Sequence, residues 1–153
     1  MIKPYYPARE AQPAPLKVRI KRSVRFEEVD SLRIVWHGRY PSYFEDARVA
    51  LGEKYGIGYM DFFAHGIVTH IKKMHFDYHR PLSFQEEMTI DGILHWSESA
   101  RMNFEFTIRN GEGELATTGY TVQMMLDRDQ NILVVPPRFY LEFSKRWKVG
   151  ELA

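Results

Sequence analysis

Apolar residues recur at every second position over several stretches of the chain and at every third or fourth over one, and these two periods divide it into strands and a helix. From Lys17 to Glu28, apolar Val18, Ile20, Val24 and Phe26 hold even positions with charged residues mostly between them, which predicts a half-buried strand. Met102, Phe104, Phe106 and Ile108 alternate strictly with Arg101, Asn103, Glu105 and Thr107, so one face of that segment meets a core and the other is polar. Strands are predicted over Ile67 to Tyr78, Glu87 to Trp96, Ala100 to Asn110 and Glu114 to Leu126, rich in β-branched and aromatic residues. Asn110-Gly111 followed by Gly113 marks a hairpin between the last two.

The helical period appears in RYPSYFEDARVALGEKYG, where Tyr40, Phe44, Ala47 and Leu51 fall on one face. Pro41 suits the first turn and Gly56 the end. Tyr43, Val49 and Ala50 lie off that face, so the helix needs neighbours on more than one side, while Glu45 and Arg48 are read as a surface pair. Tyr59, Met60, Phe62 and Phe63, ending at Gly66, form a short helical or looped flap. Pro136-Pro137 opens a short terminal helix with Phe139 and Phe143 four apart. Prolines 4, 7, 13 and 15 keep the first stretch out of any helix or central strand, which makes residues 1–15 an extended arm. The order is one strand, one long helix, then a meander of strands; a sheet wrapped around a single central helix buries that helix most economically, an α+β architecture.

The 153 residues suit one domain. A formal net charge of +1 gives no broad field to draw nucleic acid or an anionic membrane, so an anionic partner must meet a local cluster. The absence of cysteine removes disulfides, thiolate nucleophiles and Cys-based zinc sites. The amino-terminal stretch lacks the apolar run of a signal peptide, and no run approaches the roughly 20 residues that span a bilayer; a soluble, cytoplasmic protein is expected.

The stretch VRFEEVDSLRIVWHGRYPSYFEDAR, residues 24–48, joins a strand end, Asp30, the apolar run Ile34-Val35-Trp36, His37 and an aromatic helix start at Tyr40-Pro41-Ser42-Tyr43-Phe44. It resembles the signature of the 4-hydroxybenzoyl-CoA thioesterase-like branch of the hotdog superfamily, and Tyr78-His79-Arg80-Pro81-Leu82 with Phe84 resembles that family's segment between its second and third strands. The likeness covers about residues 17–128. It departs from the family where a glycine-containing turn is usual, with Ser31-Leu32-Arg33 here, and at Glu28, two residues before the Asp.

The resemblance implies a hotdog domain over residues 16–146 followed by a tail at 147–153, and hydrolysis of an acyl-CoA thioester with no cofactor beyond the coenzyme A of the substrate. It makes Asp30 the catalytic carboxylate, as nucleophile or as general base on water, and the backbone N–H of His37 the oxyanion donor. Physical chemistry fits that assignment. N–H groups at a helix start point at anions, and Val29, Ile34, Val35 and Trp36 offer the dry wall a carboxylate needs to gain basicity. An Asp before a helix also serves as an ordinary cap or turn residue.

By the same likeness two copies join as a homodimer, or pair further into a homotetramer, with Asp30 and His37 of one facing Ile67, Val68 and Thr69 of the other. Tyr43, with Tyr59, Phe62 and Phe63, is a candidate wall of the acyl pocket, and Arg80, with Lys72 and Lys73, a candidate partner for coenzyme phosphates. His65, His70, His75 and His79 invite a metal-site reading. Strand parity would set His70 on the opposite face from His75, and His75 and His79 would be about 13 Å apart, so no metal is assigned. Two rivals stay open: a hydratase or dehydratase on the same fold, and a non-catalytic acyl-CoA binding module.

Overall fold

The computed structural model describes residues 3–152, so residues 1 and 2 of the predicted arm and 153 of the tail lie outside it. Five strands, β1 (Leu16–Ser23), β2 (Val68–Tyr78), β3 (Glu87–His95), β4 (Arg101–Arg109) and β5 (Leu115–Leu126), form one antiparallel sheet in the order β1-β3-β4-β5-β2. Helix α1 (Tyr40–Tyr55) lies on its inner face, α2 (Tyr59–Ala64) is the flap beside it, and α3 (Arg138–Lys148) closes the chain. The domain end expected at 146 falls inside α3, whose Trp147 packs edge-on against Trp96, ring centroids 5.1 Å apart.

The predicted face of α1 is the buried one: Tyr40, Phe44, Ala47 and Leu51 meet Ile90, Leu94, Phe104, Phe106 and Ile108 from the sheet. Phe44 stacks between Phe76 and Phe106 at 4.7 and 4.4 Å. Gly119 makes this possible. A Cβ there would stand 2.2 Å from the carbonyl oxygen of His75 and 2.6 Å from the Phe44 ring. The opposite strip of α1, with Ser42, Asp46, Val49 and Glu53, is exposed, so the neighbours expected on every side are missing along one of them in the single chain.

Three local expectations fail for tertiary reasons. The first strand stops at Ser23, and Phe26, counted as a core position, turns outward with 77% of its surface exposed in a 3-10 turn at Phe26–Glu28. Arg48 does pair with Glu45 as expected, but not at the surface: it is only 4% exposed. A bulge between Ile71 and Lys73 reverses parity along β2: His70 pairs with Met124 and His75 with Tyr120, four positions apart, so both face the same side of the sheet. The parity argument against a shared metal therefore does not hold. Among the described residues, no group of three or more His, Cys, Asp or Glu is placed to hold one.

The described part of the arm crosses the outer face of the sheet. Tyr5 donates to Asp77 and lies 2.9 Å from the Thr118 hydroxyl, Tyr6 donates to the Thr121 carbonyl at 3.1 Å, and the Trp147 indole donates to Ala14 O at 2.8 Å. Burial pushes the Tyr5 and Tyr6 phenols up to about 12.

Candidate active site

Between β1 and α1 the chain folds back on itself as a small hairpin. Val29 and Val35 bridge antiparallel, and Ile34 bridges Ser83 while Val35 N–H donates to Leu82 O at 2.8 Å, fixing the hairpin to the segment before β3. Asp30 opens its turn. Asp30 N–H donates to Ile34 O at 2.9 Å, Arg33 N–H donates to Asp30 O at 3.0 Å, and Leu32 N–H donates to Asp30 Oδ1 at 2.8 Å. A short carboxylate that accepts a backbone N–H two residues on stabilises such a turn, and Arg33 completes it in the left-handed region at φ 63°. The other oxygen, Oδ2, has no hydrogen-bond partner among the described residues.

Glu28 anchors this hairpin. It is 3% exposed, binds Arg22 of β1 at 2.5 Å and accepts the Arg25 N–H at 2.8 Å, while its own carbonyl accepts the Trp36 N–H at 2.9 Å. Arg22 in turn pairs with Asp46 of α1 and lies 4.7 Å over the Tyr43 ring. A buried carboxylate is stable only when paired in this way. Strand, turn and helix are held through one cluster.

His37 begins a 3-10 turn, His37–Arg39, that runs directly into α1. As the first residue of the turn it has no partner within it for its backbone N–H, and none is found elsewhere among the described residues. Its carbonyl accepts the Tyr78 hydroxyl at 2.9 Å, and its imidazole is exposed beside the Trp36 indole, ring centroids 5.0 Å apart. The indole itself lies over Gly38, where a Cβ would sit 2.3 Å from it.

A cleft of about 380 Å³ opens here, lined by Asp30, Ile34, Val35, His37, Tyr40 and Tyr78, with His79 and Arg80 also at its wall. Burial raises the Tyr40 and Tyr78 phenols above their ordinary value, which keeps Tyr78 a hydrogen donor to the His37 carbonyl. Arg80 faces Glu114 at 3.1 Å; the Asn110 amide and then Arg80 hold that carboxyl below its usual range. A half-buried carboxylate with one free oxygen shares this cleft with an unpaired main-chain donor at a helix start, a pairing suited to acyl transfer.

Of the residues expected at the site, Asp30, His37 and Arg80 come together, with Ile34 and Val35 as apolar wall. Tyr43 does not join them; it is fully buried beneath Arg22, in the core. Ile67 is likewise core, Val68 starts β2, and Thr69 lines a different pocket of about 320 Å³ with Arg48, Gln123, Tyr59, Met60 and Phe62. Phe63 is exposed outside that pocket, and Val29 and Trp36 do not line the cleft. Lys72 is the bulged residue of β2 and Lys73 lies 5.6 Å from the Tyr120 ring, so neither lines the cleft. Tyr78 and Glu28 had no role assigned from the sequence, although both stood in the stretches that resemble the family.

The chain belongs to the thioesterase-like superfamily, whose family model matches residues 24–144. The class so defined is that of the thioester hydrolases, on the hotdog fold. The chain is similar to YneP of Bacillus subtilis, provisionally named an acyl-CoA thioesterase, at 24% identity over 106 residues covering 69% of this chain and 77% of that protein. Among solved structures, a DHNA-CoA thioesterase from Staphylococcus aureus matches with a TM-score of 0.79 at 24% identity, over 87% of this chain and 91% of that one. SAV2348 of Staphylococcus aureus, solved in complex with CoA, matches with a TM-score of 0.75 at 16% identity, over 91% and 85% of the two chains. Among the described residues no helix is long and apolar enough to cross a membrane.

Proposed function

We propose that the protein hydrolyses acyl-CoA thioesters to the free acid and coenzyme A, with Asp30 as the essential carboxylate and the His37 N–H as oxyanion donor. One observation carries the reading: Asp30, with Oδ2 free, lines the same cleft as His37 at the start of α1. A thioester carbonyl gains negative charge on oxygen when attacked, and a fixed N–H donor at that oxygen is worth about 3 kcal/mol of barrier. Asp30 Oδ2 attacks the carbonyl carbon to form an acyl anhydride that water then hydrolyses, or it takes a proton from the water that attacks directly; in either route the C–S bond breaks and the thiolate of coenzyme A leaves and is protonated. Arg80 at the cleft wall meets a coenzyme phosphate. SAV2348, the similar protein solved with CoA, supports the choice of carrier.

Strand β2, 11 residues long at the sheet edge, is the surface through which two copies join as a homodimer, which leaves homotetramers to form from pairs. Joined antiparallel there, Thr69 of one copy borders the site of the other. Light scattering on the purified protein reads the assembly.

A thiol reagent follows free coenzyme A on addition of acyl-CoA, and release of thiol is the expected result. Water addition to an enoyl-CoA without thiol release would instead select a hydratase, and tight acyl-CoA binding with no turnover a binding module. In a single turnover in heavy-oxygen water, unlabelled acid with label in the Asp30 carboxyl marks Asp30 as nucleophile, as does labelled acid accompanied by an acyl group caught on Asp30 by rapid quench; labelled acid with no such adduct marks attack by water.

A further inference from the structure

We infer that the amino-terminal arm is a removable cap, and that the outer sheet face beneath it is a surface through which copies of this chain stack once it is lifted. Partners identify the outer side of β5. The Thr121 hydroxyl bonds Arg48 of α1 and Gly119 meets the Phe44 ring, so Thr118, Tyr120 and Val122 point the other way. An antiparallel sheet commonly leaves that side to water. Here Thr118 is 3% exposed, under Tyr5 and His79, each 2.9 Å from its hydroxyl.

Tyr120 is the centre of the covered patch. The rings of Tyr5, Tyr6 and His75 stand 5.0, 5.7 and 5.3 Å from its own, centroid to centroid, and Tyr6 also meets His95 at 5.0 Å. The arm crosses the strands and does not join them, because prolines 4, 7, 13 and 15 lack the donor a ladder needs. It is tied at two ends: at Tyr5 and Tyr6, and at Ala14 O, which accepts the Trp147 indole N–H at 2.8 Å. Between the ties, arm residues and the turn from His95 to Asn103 wall a cavity of about 410 Å³. The arm's hold on Tyr120 therefore depends on its two tyrosines.

Uncovered, the patch suits a copy of itself. Tyr120 stands between His75 and Glu105 across the strands, with Thr118 and Val122 before and after it on the same face. Lys73 and Arg101 supply cations there, and Asp77 and Glu105, beside His75 and His95, supply carboxylates. Both signs on one patch let it meet its own two-fold mate in complementary register. A nucleic acid or an anionic membrane finds no such match. Strand β2 is the sheet edge beside the patch, so the pair of copies proposed above sets two patches side by side and doubles the stacking area. Sheets packed face to face stand about 10 Å apart, which leaves no room for a layer of arm between them.

The test is made on the full chain with Tyr5→Ala and Tyr6→Ala together, and light scattering reads the mass. At equal concentration the particle is expected to be about twofold heavier than the unaltered protein, with the circular dichroism of the sheet retained. Tyr120→Asp added to the double variant sets an unpaired charge in the stacked face and returns the mass to that of the unaltered protein. An unchanged mass in the folded double variant overturns the inference, as does a raised mass that Tyr120→Asp leaves in place. Should the double variant not fold, Tyr5→Ala alone takes its part, cutting the bonds to Asp77 and Thr118 while Tyr6 stays, and is judged by the same two outcomes. If the unaltered protein is a single copy, the edge-joined pair fails separately, and a rise from one copy to two on loss of the tyrosines still judges the cap.

Discussion

Replacing Glu28 with Ala removes the anchor of the hairpin that carries Asp30. The side chain is buried, holds Arg22 at 2.5 Å and accepts the Arg25 N–H at 2.8 Å, so the change takes from Arg22 one of its two carboxylate partners and leaves the Arg25 N–H without its acceptor. Breaking a buried ion pair from one side costs about 3–5 kcal/mol. Arg22 keeps Asp46 as a partner, which argues for the lower end, about 3 kcal/mol. For a domain of this size each kcal/mol moves Tm by about 2–4 °C, so a fall of roughly 6–12 °C is expected by calorimetry. Glu28→Gln retains an acceptor for the Arg25 N–H and loses about half as much, roughly 1–2 kcal/mol. Thiol release by Glu28→Ala, assayed well below its Tm, falls in kcat more than it rises in KM, because the hairpin also positions Trp36 and hence His37. A Tm within about 2 °C of the unaltered protein, with full activity, would refute the anchoring role.

Tyr78→Phe deletes the hydroxyl that the His37 carbonyl accepts at 2.9 Å; a loss of about 1 kcal/mol in denaturant unfolding and a several-fold drop in kcat are expected, and unchanged kcat shows that the bond does not orient the oxyanion donor. Gly119→Ala sets a methyl group 2.2 Å from the His75 carbonyl oxygen and against the Phe44 ring, which costs about 3 kcal/mol; a near-native urea midpoint contradicts that packing. The Tyr5 and Tyr6 phenols are raised to about 12, so the folded state favours their protonated form. Their contribution is full below an unfolded value of about 10 and is lost as pH climbs towards 12, and the arm should release over that window. Tyrosinate absorbance that rises with a midpoint near 10 for every tyrosine would contradict this.

What could be read from the chain was local. The alternation of Met102 to Ile108 and the helical spacing of Tyr40, Phe44, Ala47 and Leu51 depend only on which face meets the core, and the structure buries those residues. Asp30 and His37 were legible because a turn and a helix start lie next to each other in sequence. The failures came from partners distant along the chain. Nothing near Arg48 signals that Thr121, 73 residues on, will receive its guanidinium in the interior. Nothing near Lys72 announces the bulge that reverses the parity of β2, and Phe26 looks like a strand residue until the buried Glu28 pulls the chain into a turn. Glu28 itself stood out only as a departure from the family pattern, and its role depends on Arg22 and Asp46.

Asp30→Asn is the most direct test of the catalytic assignment. Asparagine keeps an oxygen for the Leu32 N–H, so the turn survives and Tm moves little while the negative charge disappears. The account predicts that thiol release from acyl-CoA falls by about a hundredfold or more in this folded variant. Retention of most of the activity would contradict it.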